Sequence, residues 1–131
     1  INLKLPSGSF FYTSVMYTIY HNPRCRKSRE ALQYLEDQSA TLKIVNYLNE
    51  PLKKAELKAI LNQIGLQPRE IVRKNEADWK SVPNRNELTE DQILEVLVEF
   101  PKTIERPIVT SNNKGVLARP LENLISFMTE H

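Results

Sequence analysis

The sequence predicts a single α/β domain in which a small mixed sheet is flanked by helices. Apolar patterns along the chain follow the order strand, helix, strand, then several helices, then a β-hairpin and a final helix. Of the 131 residues, 40% are hydrophobic and 26% are charged, which is an ordinary globular balance. A chain of this length can bury a hydrophobic core without the help of disulfides or structural metal ions. It also has the usual length of one domain, so we expect a single domain.

The beginning of this domain has the pattern of a β-α-β unit. Apolar and β-branched runs predict the two strands, and apolar side chains at helical spacing predict the helix between them. The elements are a strand at 17–20, a helix at 25–39 and a strand at 42–48. Pro23 separates the first strand from the helix, because proline cannot continue a central strand.

The middle of the chain is predicted to be mainly helical. Gly65 is a typical helix stop, and Thr89 with Gln92 has the pattern of a capping box. The expected order is a helix from Pro51 to Gly65, a short helix and turn at 68–75, a loop at 76–87 and a helix at 89–100. These helices would form an insertion between the two halves of the sheet.

The end of the chain is predicted to return to the sheet. The elements are a strand at 104–110, a hairpin turn at 112–115, a strand at 116–118 and a helix opened by Pro120. Pro107 lies within the first of these strands, which indicates an edge position or a cis peptide bond.

The first fifteen residues do not fit this pattern. They contain Gly8 and an adjacent pair of phenylalanines, and they show no clear hydrophobic period. We interpret 1–15 as a vector-derived extension and 16–131 as the folded domain.

Composition excludes several classes of function. No apolar run approaches the roughly 18 residues that cross a bilayer, so no membrane partner is expected. The net charge of +2 is too small to indicate nucleic-acid binding. The two histidines, His21 and His131, belong to no ligand cluster, so neither a metal nor a bound organic cofactor is expected. A solitary cysteine favours a reducing compartment, and the predicted location is the cytoplasm.

Cys25 is the candidate nucleophile, because it lies where the first strand gives way to the first helix. Unpaired N–H groups and the helix dipole favour a thiolate at a helix N-terminus. Basic side chains lie close in sequence, namely Arg24, Arg26, Lys27 and Arg29, and His21 lies just upstream. Such a setting lowers the pKa of a thiol and makes it reactive. The alternative is a buried core cysteine without chemistry.

Other residues could complete a site for an anion. Ser28 lies three residues after Cys25, where it either donates to the thiolate or is only a helix-start residue. Arg73, Arg106 and Arg119 interrupt apolar stretches, where charges are less expected. Each alone would be read as a surface ion pair, but together with a lone cysteine they indicate an oxyanion pocket. A cis bond at Pro107 would help to shape that pocket.

Four motifs in register give the sequence a family resemblance. They are Tyr20-His21-Asn22-Pro23-Arg24-Cys25 with Ser28 and Arg29, then Val72-Arg73-Lys74-Asn75, Glu105-Arg106-Pro107-Ile108-Val109 and Leu117-Ala118-Arg119-Pro120. This pattern resembles the ArsC-type, glutaredoxin-coupled arsenate reductases. The match departs from the family at Arg26-Lys27, where small residues are usual.

The resemblance implies a thioredoxin-like fold with a helical insertion. It implies that Cys25 attacks arsenate while Arg73, Arg106 and Arg119 hold the oxyanion. His21 and Ser28 would tune the thiolate, with Asn22 and Pro107 as further supporting residues. Glutathione would act as co-substrate and glutaredoxin as partner. The single cysteine requires that the resolving thiol come from outside the chain.

Two alternatives remain open at this stage. One is a thiol enzyme of the same fold that acts on another oxyanion or on a glutathionylated protein. The other is a regulator that binds RNA polymerase and resembles the Spx branch of this fold. That branch typically carries a Cys-x-x-Cys switch, which Ser28 removes here.

Overall fold

The computed structural model describes residues 3–5, 9–10 and 15–130. The strands are β1 (Leu3–Leu5), β2 (Ser9–Phe10), β3 (Met16–Tyr20), β4 (Thr41–Val45), β5 (Ile108–Ser111) and β6 (Lys114–Leu117). The α-helices are α1 (Arg26–Asp37), α2 (Lys54–Ile64), α3 (Ala77–Lys80), α4 (Glu90–Glu99) and α5 (Leu121–Glu130). Short 3-10 helices cover Pro68–Ile71, Arg85–Glu87 and Pro101–Thr103.

Four strands form the central mixed sheet, in the order β4-β3-β5-β6. β3 pairs in parallel with β4 and antiparallel with β5, and β5 pairs antiparallel with β6. The predicted fold class, a thioredoxin-like α/β domain with a helical insertion, is therefore confirmed. The insertion runs from α2 to the last 3-10 helix, between β4 and β5.

Each face of the sheet carries its own hydrophobic cluster. Tyr17 and Ile19 of β3 pack with α1 and α5 on one face, whereas Tyr20 packs against the insertion on the other. This division follows from the alternation of side chains along a strand. Leu35 and Leu124 anchor the first cluster, and each is fully buried. The other cluster is built mainly from α2, α4 and the segments between them.

Three predicted elements differ from the structure in length or type. The strand expected at 42–48 ends at Val45, because Asn46 starts a turn whose side-chain Oδ1 accepts from the N–H of Leu48 at 3.2 Å. The strand expected at 104–110 begins only at Ile108. The prediction of a loop at 76–87 is wrong, because this segment contains α3 and a 3-10 helix. Trp79 is buried within it.

The helix boundaries agree closely with their sequence signals. The hydroxyl of Thr89 accepts from the N–H of Gln92 at 3.2 Å, which confirms the predicted capping box. Gly65 ends α2 with a φ of 72°, as expected of a helix-stop glycine.

The hairpin turn is shorter than expected, because Gly115 already belongs to β6 and the turn lies at Asn112 and Asn113.

Residues 1–15 are described only in part. β1 and β2 pair antiparallel, while the other residues before Val15 lie outside the described part of the chain. The interpretation of 1–15 as a vector-derived extension stays a prediction. Among the described residues, no helix has both the length and the apolar character needed to cross a membrane.

Candidate active site

The candidate site lies at the edge of the sheet where β3 and β4 end. Because these two strands are parallel, their carboxyl ends lie side by side. The N–H of His21 donates to the carbonyl of Val45 at 2.8 Å and holds the two exits together. β5 is antiparallel to β3, so it begins at this same edge, directly after Arg106 and Pro107.

Cys25 is the N-cap residue of α1, as the sequence predicts for the nucleophile. Its φ and ψ are −94° and 123°, an extended conformation that directs the chain into the helix. Cys25 is a free thiol, and the residue is half-buried. Burial by itself raises the pKa of Cys25. Hydrogen bonds from the N–H groups of Ser28 and Lys27, and the hydrogen bond and charge of Arg106, outweigh burial and lower that pKa.

Arg106 is the buried cation of the site. Only 8% of the residue is exposed, and its Nη1 donates to the carbonyls of Lys102 at 3.0 Å and Ile104 at 3.3 Å. These carbonyls hold the guanidinium in place beside Cys25. Its Nε is buried and has no hydrogen-bond partner among the described residues. Arg106 thus retains a donor that the protein does not use.

A buried network of polar groups supports the loop before Cys25. The Oγ of Ser28 accepts from the N–H of Asn22 at 3.0 Å and lies 2.6 Å from Nδ1 of His21. A hydroxyl that accepts from the N–H has its own proton left for the imidazole nitrogen. Burial and the nearby Arg29 lower the pKa of His21. His21 is therefore neutral at neutral pH, and Ser28 ties the loop to the first turn of α1.

Asn22 adds a second contact within this loop. Its Oδ1 accepts from the N–H of Arg24 at 2.9 Å, and its carbonyl accepts from the N–H of Cys25 at 3.0 Å. These contacts fix the approach of the chain to Cys25. Asn22 thus supports the loop rather than facing a substrate.

Arg73 and Arg119 meet at a carboxylate. Nη1 of Arg73 lies 3.3 Å from Oε1 of Glu105, and Nη1 of Arg119 lies 3.6 Å from the same oxygen. Arg119 also donates to the carbonyl of Arg106 at 3.0 Å. The three predicted arginines are therefore brought together, with Arg106 buried and the other two about one-quarter exposed.

Arg73 reaches this position through backbone pairing between the insertion and the approach to β5. The N–H of Arg73 donates to the carbonyl of Thr103 at 2.7 Å, and the N–H of Glu105 donates to the carbonyl of Ile71 at 2.8 Å. Val72 and Ile104 form an isolated bridge between these bonds. This pairing explains why the strand predicted to begin at Ile104 joins the sheet only later.

Pro107 follows Arg106 through a cis peptide bond and is fully buried. Its carbonyl accepts from the N–H of Ala118 at 2.8 Å, which joins the start of β5 to the end of β6. A second cis bond precedes Pro120, next to Arg119. Both prolines therefore adjoin arginines of the candidate site.

The basic neighbours of Cys25 do not play the part expected of them. Arg26 and Lys27 are exposed and lie 3.4 Å and 3.9 Å from carboxylate oxygens of Glu30. Arg29 donates to the carbonyl of Pro23 at 3.0 Å. The cation that hydrogen-bonds to Cys25 is Arg106, which is distant in sequence.

Two residues at the site have no role in the sequence analysis. Glu105 lies within a quoted motif, but nothing in its neighbours indicates that it would bridge two arginines. Tyr47 is 1% exposed, and its hydroxyl is buried without a hydrogen-bond partner in the described part of the chain. Tyr47 lies within the strand predicted at 42–48, where the alternation of side chains alone assigns it no function.

Comparison with known proteins assigns the family. The model of the ArsC family matches residues 20–129. The chain belongs to the ArsC family. Over 108 residues it is 41% identical to arsenate reductase of Neisseria meningitidis, and the aligned region covers 81% of this chain and 92% of that relative. It is 37% identical to the uncharacterised protein YfgD of Escherichia coli K12 over 112 residues, which are 84% of this chain and 94% of YfgD.

A solved member of the ArsC family has the same fold. The structure of arsenate reductase from Vibrio cholerae matches with a TM-score of 0.81 at 36% identity, covering 86% of this chain and 97% of that chain. The matched region of the family model contains every candidate site residue, from His21 to Arg119. The resemblance read from the four motifs is thus confirmed at the level of the family.

Proposed function

We propose that this ArsC-family chain reduces arsenate to arsenite with Cys25 as the nucleophile. The observation that carries the proposal is the contact of the Cys25 thiol with the buried guanidinium of Arg106, which lowers the pKa of the thiol. A thiolate is the reactive form of cysteine. The names of relatives such as the Neisseria meningitidis reductase support an oxyanion as substrate.

In the first step, the Cys25 thiolate attacks the arsenic atom of arsenate, an arsenic–sulfur bond forms, and one As–OH group takes up a proton from solvent and leaves as water. Arg106 would bind the negative charge of the remaining oxygens, because it is buried and its Nε–H has no partner among the described residues. Arg73 and Arg119 would bind the oxyanion from the more exposed side of the site. Their shared partner, Glu105, holds them there in the free protein.

In the second step, a thiol from outside the chain completes the reduction. Glutathione attacks the adduct, arsenite leaves, and the two electrons that reduce As(V) to As(III) come from the Cys25 and glutathione sulfurs. These sulfurs join as a mixed disulfide, which glutaredoxin reduces to regenerate Cys25. An external thiol is required because Cys25 is the only cysteine of the chain. No bound cofactor takes part in this scheme, and its thiols and glutaredoxin belong in a reducing cytoplasm.

The test is NADPH oxidation in the presence of arsenate, glutathione, glutaredoxin and glutathione reductase, together with direct measurement of arsenite. Wild type should turn over, and Cys25→Ser should fall to the rate without enzyme. Ser28→Ala is a matched comparison on the same turn of α1. It removes the hydroxyl that binds Asn22 and His21, but it leaves the thiol in place, so part of the activity should remain.

The outcomes separate arsenate reduction from other thiol chemistry. Turnover that requires both glutathione and glutaredoxin supports the full scheme. Turnover that requires glutathione alone rejects the glutaredoxin step. Absence of arsenite formation by a folded protein, with Cys25 still alkylated at low pH, rejects arsenate as the substrate and leaves a thiol enzyme that acts on another oxyanion or a glutathionylated protein.

A further inference from the structure

Tyr47 lies in the turn that follows β4, at the same edge of the sheet as Cys25. The backbone carbonyl of Asn46 accepts from the N–H groups of both Asn49 and Glu50, at 3.0 Å and 2.9 Å, so the turn is fixed by its own backbone. The exit of β4 is joined to the exit of β3 through His21. Tyr47 is therefore held next to the loop that presents the thiol.

The Tyr47 hydroxyl is an unused hydrogen-bond group inside the protein. The residue is 1% exposed, and its oxygen has no partner among the described residues. Buried hydroxyl groups are nearly always paired, since leaving one unpaired costs its hydration. An orphan of this kind indicates a partner that arrives from outside the chain.

The surroundings of this hydroxyl are the charged groups of the candidate site. Burial raises the pKa of Tyr47 to about 12, the charges of Arg106 and Arg73 and the approach of an Arg106 N–H to the phenol oxygen lower it, and the charge of Cys25 raises it. A guanidinium can only donate to this oxygen, so the O–H of Tyr47 has no acceptor among the described residues. The phenol therefore keeps its proton at neutral pH and can donate it in a hydrogen bond. Among the described residues, the Nε of Arg106 is the buried side-chain nitrogen that likewise lacks a partner.

We propose that the Tyr47 hydroxyl donates a hydrogen bond to an oxygen of the oxyanion bound between Cys25 and Arg106. The proposal rests on the proposed function and adds a neutral donor to the three arginines. Tyr47 and the Nε of Arg106 would then be paired by the same ligand. A neutral donor binds an oxyanion oxygen without adding a further buried charge to a site that already holds Arg106.

Tyr47→Phe tests this directly, since it removes the hydroxyl and keeps the ring. Arsenate binding without glutathione is measured by calorimetry, and thermal unfolding is recorded without arsenate. Because the O–H of Tyr47 has no acceptor among the described residues, the variant should unfold at the wild-type temperature or higher. Its dissociation constant for arsenate should rise by about tenfold or more, as expected for a lost bond to a charged group.

Ser111→Ala is the matched control. Ser111 also has a buried, unpartnered Oγ among the described residues, but it lies at the opposite end of β5 from Arg106. Its loss should leave arsenate affinity unchanged. Equal weakening by both variants would overturn the proposal, because it would indicate a general effect of the fold.

Two of the three remaining outcomes separate the role of Tyr47 from the proposed function. Unchanged affinity in Tyr47→Phe, or a clearly lower unfolding temperature, overturns the role of Tyr47 alone. Weaker binding in Tyr47→Phe, with a wild type that binds arsenate but does not reduce it, supports Tyr47 and rejects the reductase. A wild type that binds no arsenate overturns both.

Discussion

Cys25 has a lowered pKa because of contacts that come from two distant parts of the chain. The N–H groups of Ser28 and Lys27 belong to the turn that follows it, and these contacts could be expected from a helix N-terminus. Arg106 comes from the segment before β5 and is placed by the carbonyls of Lys102 and Ile104. The sequence predicted the local part and predicted Arg106 for the same pocket, but it assigned the low pKa to the basic neighbours of Cys25 rather than to Arg106.

We predict that Arg106, rather than the basic neighbours in sequence, governs the reactivity of Cys25. Arg106→Gln removes the hydrogen bond and the charge that favour the thiolate, so the pKa of Cys25 should rise. The measurement is the rate of iodoacetamide alkylation as a function of pH. The midpoint in wild type should lie below that of free cysteine, and in Arg106→Gln it should move to higher pH.

Arg24→Gln is the control for this prediction, because Arg24 is exposed and adjacent to Cys25 in sequence. Its midpoint should stay at the wild-type value. If Arg24→Gln moved the midpoint as far as Arg106→Gln did, the local basic cluster would be responsible for the low pKa after all.

At the scale of single elements, the packing of α2 on the hairpin depends on Gly115. A Cβ at this position would lie 2.9 Å from Cγ2 of Ile64 and 3.0 Å from the carbonyl oxygen of Val109. The sequence predicts Gly115 as a turn residue. In the structure the glycine instead allows the insertion to approach the sheet closely. The left-handed backbone conformation of the turn is adopted by Asn112, with a φ of 58°.

Gly115→Ala should therefore destabilise the protein by about 1–3 kcal/mol, the usual cost of overpacking a core. The measurement is chemical denaturation at neutral pH. Gly65→Asn is the comparison, because Gly65 has a φ of 72° and nothing within 4 Å of its Cβ position. Asparagine tolerates that conformation, so this variant should cost less. The reverse ranking would mean that the neighbours of Gly115 give way, so that the close approach of Ile64 does not require a glycine there.

At the scale of the whole molecule, one sheet separates two hydrophobic clusters that must fold together. Val109 and Ile108 are neighbours on β5, yet one packs with α1 and α5 and the other with the insertion. The candidate site spans the same boundary, since Cys25 is the N-cap of α1 and Arg73 lies in the insertion. Its geometry therefore depends on both clusters.

We predict that the two clusters unfold as one cooperative unit. Leu35 is fully buried on the α1 side, and Leu35→Ala should cost about 2–5 kcal/mol. Trp79, the single tryptophan, is buried on the insertion side and reports unfolding there by fluorescence. Its midpoint in denaturant should fall in Leu35→Ala by the same amount as the midpoint seen by circular dichroism. An unchanged Trp79 midpoint would show that the insertion unfolds independently.

The sequence alone determined the order of the elements, the caps at Thr89 and Gly65 and the position of Cys25 at a helix N-terminus. These features depend on residues close together in the chain, where periodicity and backbone preference act. The tertiary structure decided that Arg106 serves Cys25, that Glu105 joins Arg73 to Arg119 and that Tyr47 lies beside them. Those contacts join the β3–α1 turn, the exit of β4, the insertion and the approach to β5. Pairing between such distant segments is set by sheet register and packing, which no local pattern specifies.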